Sequence, residues 1–184
     1  GARTGKGRGV WGLRGSGGDG NAWSEVGGAA RIRDNLIAAG KAKPMIVVMT
    51  NGNSSQEAAP GETPDGLTVP TLRLPKTMDG SFEQAFPDVI KFVESRYRVK
   101  ADKAHRAIAG LSMGGSQSLY ISANYPNTFD YVGLFSAAVY RQQSQHEGAW
   151  QIYENLDSKL AKQFAAKPKL YWIGTGKADF LYKD

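Results

Sequence analysis

HRAIAGLSMGGSQSLYIS, residues 105–122, is the stretch on which the fold turns. A short apolar run, Ala107 to Ala109, leads into Gly110-Leu111-Ser112-Met113-Gly114, and a helix-compatible segment follows and stops at Pro126. Strand, sharp turn and helix form the context that G-x-S-x-G requires. The turn lifts a serine hydroxyl above the end of a sheet, and the two glycines keep side chains out of the crowded bend. The next helix points its first N–H groups, and the positive end of its dipole, at the place where an oxyanion would form. With 23 glycines and 13 serines in 184 residues, chance alone supplies such a pentapeptide roughly 0.2 times per chain. The flanking strand and helix therefore carry the reading, and they disfavour a plain glycine turn. Ser112 is the candidate nucleophile.

Upstream, Gly9–Leu13 reads as a short strand and Gly15–Gly20 as a glycine-rich loop. Ala30, Ile32, Leu36 and Ile37 recur at helical spacing, with Gly40 placed to end that helix. Met45–Met49 is a solid apolar run, the mark of a strand buried on both faces. Residues 50–80 lack periodicity and read as one long loop. Ser81 is placed to cap a helix whose apolar face is Phe82, Phe86, Val89, Ile90, Val93 and Tyr97, with Pro87 expected to kink or split it. Downstream, 131–135 and 169–173 read as strands and 150–164 as a helix. Strands that alternate with helices and read as unbroken apolar runs predict an α/β fold, a mostly parallel sheet with helices on both faces. Ligands in such sheets lie beyond the carboxyl ends of the strands.

Composition narrows the classes. The chain is 41% hydrophobic and 22% charged, within the range of a globular domain, and residues 1–184 read as a single domain. No apolar run reaches the roughly 18 residues of a membrane span, and the first residues carry no signal-peptide pattern. Zero cysteines exclude disulfides, thiolate metal sites and a cysteine nucleophile. The net charge of +6 is dispersed, and its densest stretch, Arg96–Arg106, reads as a solvated surface rather than a nucleic-acid stripe. Two further patterns fail on context. Gly15-x-Gly17-x-x-Gly20 opens no helix and has no acid at a following strand end, which argues against a dinucleotide site. Gly174-Thr175-Gly176-Lys177 is not a phosphate loop, because Tyr171 and Ala178 stand where glycine and Ser/Thr are required.

HRAIAGLSMGGSQSLYIS resembles the elbow region of the carbohydrate esterases that include feruloyl and acetyl xylan esterases, with the esterase D-like hydrolases as close relatives. GSGGDGNAW, DNLIAAGKAKPMIVVMTNGN, YVGLFSAA and LYWIGTGKADFLY follow the same pattern in the same order. The resemblance implies an α/β-hydrolase fold and a triad in the order serine, acid, histidine. It matches the acid to Asp179, directly after KLYWI, whose task is to orient and stabilise the imidazolium; a turn aspartate is the plainer alternative. It matches GSGGDG to the loop whose backbone N–H joins that of Met113 in an oxyanion hole, with Ser16 the first candidate donor and Gly15 beside it. Arg14 departs from the pattern, since histidine is usual there.

The base is the second departure. The family takes its histidine from a turn after one more strand, so the resemblance predicts a base past Asp184 and a last strand and helix outside this chain. Of the two histidines present, His105 starts the strand leading to the elbow and so belongs at the opposite end of the sheet. His146, in QSQHEG, is the fallback base, with a solvated loop histidine as the alternative.

The resemblance implies hydrolysis of feruloyl or related acyl esters of plant cell-wall xylan through an acyl-enzyme. The alternatives are a small-acyl esterase, of acetyl xylan or S-formylglutathione type, and an inactive carbohydrate-binding relative. Trp23 is a candidate wall for a phenolic acyl group, or else a core tryptophan. This chemistry calls for no cofactor and no metal. The expected partner is a small-molecule or polysaccharide ester, with no nucleic acid and no membrane. A secreted or extracellular location is expected, with the cytoplasm as the alternative.

Overall fold

A computed structural model describes residues 7–13, 22–25, 27–50, 52, 79–139 and 151–182. Five strands, β1 (Arg8–Leu13), β2 (Met45–Thr50), β3 (Arg106–Leu111), β4 (Tyr131–Phe135) and β5 (Leu170–Gly174), form one sheet in the order β2-β1-β3-β4-β5. All four pairings are parallel. The helices are α1 (Ala22–Glu25), α2 (Ala29–Ala38), α3 (Ser81–Arg96), α4 (Met113–Asn124) and α5 (Leu156–Ala165). The chain steps from β1 outward to β2, then returns across β1 to start β3 on its other side. That reversal places a topological switch point between β1 and β3, where a crevice opens at the carboxyl ends. The register brings those ends level: Leu13 faces Gly110, Leu111 faces Phe135, and Phe135 faces Gly174.

Alternation along the strands directs Trp11, Leu13, Ile108, Val132 and Leu134 to one face. They meet Phe82, Phe86 and Ile90 of α3, Leu119 and Tyr120 of α4, and Phe129 in the core. Trp11 and Phe129 pack edge to face at 5.9 Å. Burying each such side chain is worth about 1.5–3 kcal/mol, so this cluster fixes where α4 lies. The other face carries Ala107, Ala109 and Gly133, with Leu111, Phe135 and Trp172 exposed at one end. There the Phe135 and Trp172 rings meet at 4.5 Å.

Several local expectations are corrected. Among the described residues β2 is an edge strand, and it is only half-buried along its whole length, its apolar run pairing with β1 alone. Ser81 does not cap α3. Gly80 holds the cap position in left-handed conformation, and Asp79 Oδ1 accepts the Ser81 N–H at 2.9 Å. Pro87 neither ends nor splits α3. It withholds one hydrogen bond, to the Glu83 carbonyl, while Phe82, Phe86, Ile90 and Val93 bury the turns on both sides. Tyr97, assigned to the apolar face of α3, is exposed, and so are Ile32 and Leu36 of α2. Helix α5 starts at Leu156 rather than near 150. The segment 53–78, read as a long loop, lies outside the described residues.

Candidate active site

Ser112 sits between the last residue of β3 and the first of α4, at φ 54° and ψ −116°. That region is costly for a side-chain-bearing residue, so the elbow is held by its surroundings. A Cβ on Gly110 would come 2.1 Å from the Gly114 carbonyl oxygen, and one on Gly115 would come 2.8 Å from Ala137 Cβ. Both glycines are therefore demanded by close approach. The pentapeptide predicts the first; the second is needed because α4 lies tight against the segment after β4. The Ser112 N–H donates to Phe135 O at 2.9 Å, fixing the elbow to β4. Ser116 N–H makes the first bond inside α4, to Ser112 O at 3.0 Å. The N–H groups of Met113, Gly114 and Gly115 precede that bond and open toward the carboxyl end of the sheet.

Helix α4 is buried from Met113 to Ala123, so its polar side chains need partners. Ser118 Oγ donates to Gly114 O at 2.7 Å and Ser116 Oγ to Ala138 O at 2.6 Å. Gln117 Nε2 donates to Gly52 O at 2.9 Å. Ser116 and Gln117 thereby tie the segments after β4 and β2 to the first turns of the nucleophile helix. The sequence marks α4 only as the helix after the elbow, and these two ties become visible once the strand order is known.

Asp179 lies five residues past β5, at the same end of the sheet as Ser112. Its N–H donates to Gly176 O, and its Oδ1 accepts the Leu181 N–H, both at 2.9 Å. The Leu181 N–H and the Ser136 hydroxyl hold its carboxyl below the usual aspartate range. Strand β4 lies between β3, which leads to Ser112, and β5, which leads to Asp179. Trp23 Nε1 donates to Leu13 O at 3.1 Å, and its ring lies over Gly12. The indole N–H is thus engaged at the end of β1, and the ring is half-buried. Arg14, Gly15, Ser16 and His146 lie outside the described residues. His105 is at the amino end of β3, as expected, with Nδ1 2.6 Å from Asp102 Oδ1.

One ionisable group stands apart from this arrangement. Glu83, in the first turn of α3, is fully buried and receives the Tyr153 hydroxyl at 2.9 Å. Burial pushes its carboxyl up to about 7, against the opposing pull of its own backbone N–H and of Tyr153. Burial and the neighbouring carboxylate push the Tyr153 phenol up as well.

Residues 17–183 match the family described as "Putative esterase". The chain belongs to the Esterase family. Membership accounts for the elbow and the crossover order together. Among its relatives, the endo-1,4-beta-xylanase/feruloyl esterase of Xylanibacter ruminicola is 37% identical over 119 residues, 64% of this chain and 15% of that protein. The feruloyl esterase module from Clostridium thermocellum, solved with sinapinate, superposes with a TM-score of 0.69 at 22% identity, over 97% of this chain and 59% of the module. The S-formylglutathione hydrolase of Staphylococcus aureus superposes with a TM-score of 0.68 at 19% identity, over 100% of this chain and 67% of that one. The chain thus spans about three fifths of the clostridial module and a small part of the curated relative. The structural likenesses bear on the fold, and they agree with the α/β-hydrolase reading of the sequence.

Proposed function

We propose that this esterase hydrolyses carboxylic esters through an acyl-enzyme on Ser112, and that feruloyl or related acyl esters of plant cell-wall xylan are its substrates. The observation that carries the reading is the backbone of Ser112. A serine is held at φ 54° by a glycine contact and a strand carbonyl, at the mouth of the switch-point crevice. Strain of this kind persists only where the surroundings enforce it, and it gathers at functional sites.

The chemistry follows from that placement. The Ser112 hydroxyl gives up its proton to a histidine base as its oxygen attacks the ester carbonyl. The first N–H groups of α4, Met113 foremost, stabilise the oxyanion, with a second donor from Ser16 or Gly15. Asp179 keeps the base in the right tautomer. The alcohol leaves with the proton that the base returns. Water then adds to the acyl-serine and releases the acid. The base is a histidine following Asp184, or else His146.

A phenolic acyl group is favoured by the relative from Xylanibacter ruminicola, named as both xylanase and feruloyl esterase, and by an aromatic ring, Trp23, held half-buried at the carboxyl end of β1. The second reading, a small-acyl thioesterase, draws on the superposition with S-formylglutathione hydrolase over the whole chain. Comparing kcat/KM for methyl ferulate, 4-nitrophenyl acetate and S-formylglutathione separates the two. Preference for the ferulate supports the first reading, and preference for the thioester replaces it with the second. In either case Ser112→Ala abolishes turnover without altering the circular dichroism spectrum. A Ser112→Ala protein that retained most of its activity would overturn the nucleophile assignment.

A further inference from the structure

We propose that Gln117 is a positioning residue that fixes the segment after β2 as the wall beside which the acyl group of the ester lies. The inference rests on the proposed roles of Ser112 and Asp179, and it adds a specificity-determining contact that neither motif nor spacing singles out.

The side taken by the acyl group follows from the order of strands. Asp179 follows β5 and Gly52 follows β2, on opposite sides of β3, the strand that leads to Ser112. In acyl transfer the base hands its proton to the leaving alcohol. The base belongs beside the acid that orients it, so the alcohol departs on the β5 side. The oxyanion takes the N–H groups at the start of α4. The acyl substituent, the last group on the tetrahedral carbon, is left with the β2 side.

Gln117 reaches that side from the nucleophile helix. It is fully buried, and its Nε2 donates to Gly52 O at 2.9 Å. The bond joins the helix after β3 to the segment after β2, with β1 between those strands. Gly52 is itself buried and left-handed, at φ 72°. A Cβ there would come 2.9 Å from Gln117 Oε1, so the amide rests against the bare Cα. Neighbouring polar side chains of α4 behave differently. Ser118 and Ser122 donate to Gly114 O and Leu119 O, within their own helix.

The residue type fits this task. Gln117 Oε1 has no hydrogen-bond partner among the described residues, and a buried acceptor left unpaired is destabilising. Methionine would fill the same space without that penalty. A buried glutamine makes sense here only if its donor is needed, and its donor holds Gly52.

The test compares this chain with its Gln117→Met and Gly52→Ala variants on 4-nitrophenyl acetate, 4-nitrophenyl butyrate and methyl butyrate. Gln117→Met keeps the volume and loses the donor. Gly52→Ala presses on the same amide from the other side, so a second variant is at hand if Gln117→Met does not fold. In each, kcat/KM for 4-nitrophenyl butyrate relative to the acetate should fall by about tenfold, and the fall should lie in KM. Loss of folded protein lowers both esters alike, so an unchanged ratio in both variants would overturn the proposal. The two butyrates differ in the alcohol alone, and their ratio should hold. A shift there in place of the acyl ratio would put the wall on the alcohol side and equally overturn it. Hydrogen exchange read by mass spectrometry tests the hold without turnover. Peptides across Met45–Gly52 should exchange faster in Gln117→Met, and unchanged exchange there would contradict the proposal. If the parent does not hydrolyse methyl ferulate, the feruloyl reading fails, while the butyrate-to-acetate ratio still decides on Gln117. If Asp179→Asn leaves turnover intact, the triad reading fails, and the same ratio remains the measure of Gln117.

Discussion

At the amino ends of β3, β4 and β5 the chain is tied together by charge. Arg106 forks onto Glu94 at 2.7 and 3.0 Å, and Lys103 and Lys169 both approach Asp130, at 3.4 and 3.2 Å. His105 pairs with Asp102, and Lys100 Nζ lies 3.3 Å from its other ring nitrogen. Lysine can only donate, so Nε2 accepts and Nδ1–H faces the carboxylate. At the carboxyl ends the ties are different. Ser112 and Ser136 are held at positive φ, and their N–H groups donate to Phe135 O and Gly174 O on the neighbouring strands.

An aspartate–histidine pair sits at one end of this sheet, and a serine and an aspartate sit at the other. Residue types alone would assemble a triad from both sets. Geometry does not permit it, because β3 runs its whole length between His105 and Ser112. On the proposed function, the strained end does the chemistry and the charged end holds strands in place. Variants at the two ends should therefore separate turnover from stability.

The largest effect is expected at the carboxyl end. Asp179→Asn should lower kcat by about 10⁴-fold with little change in KM, as loss of the orienting acid does in serine proteases. Steady-state kinetics on an aryl ester would check this. A near-normal kcat would leave Asp179 as a turn residue and remove the acid from that end.

Next comes the buried acid between the helices. Glu83 charges near pH 7 when folded and at about 4.5 when unfolded, so the folded state binds the extra proton between those values. Its stabilising effect is complete below about pH 4.5 and lost as pH rises to about 7, a change of about 3 kcal/mol. Glu83→Gln should flatten that slope in urea denaturation at pH 5 and pH 8, and the variant should be the more stable at pH 8. An unchanged slope would mean that Glu83 is ionised in the folded protein throughout.

At the amino end, Glu94→Gln should cost roughly 1–3 kcal/mol of stability by leaving the half-buried Arg106 fork unpaired. It should leave kcat/KM within twofold of the parent. A loss of turnover larger than the loss of stability explains would blur the division between the two ends. The smallest effect is expected from His105→Asn, which should leave kcat/KM within twofold. A collapse of turnover there would make His105 a working base and break the comparison.

The order of elements was legible because five apolar runs and their intervening helices are local signals. The elbow was legible because its glycines stand two residues from the serine. Edge status was not legible: Met45–Met49 reads as fully apolar, and only the strand order shows that among the described residues one side has no neighbour. The apolar face of α2 was visible, yet Ile32 and Leu36 remain exposed. The tie from the Ser136 N–H to Gly174 O escaped notice because it forms only through the pairing of β4 with β5. The hydrogen bond from Trp23 to Leu13 O is equally invisible to pattern, since an indole looks the same as ligand wall or clamp.

The central claim, that Ser112 is the acylated nucleophile, is tested most directly by trapping it. The protein is incubated with an aryl fluorophosphonate, its intact mass is measured, and the modified peptide is sequenced by mass spectrometry. One adduct per chain, located on Ser112 and absent from Ser112→Ala, is the predicted result. An adduct on another residue, or undiminished ester hydrolysis by protein whose Ser112 stays unmodified, would contradict it.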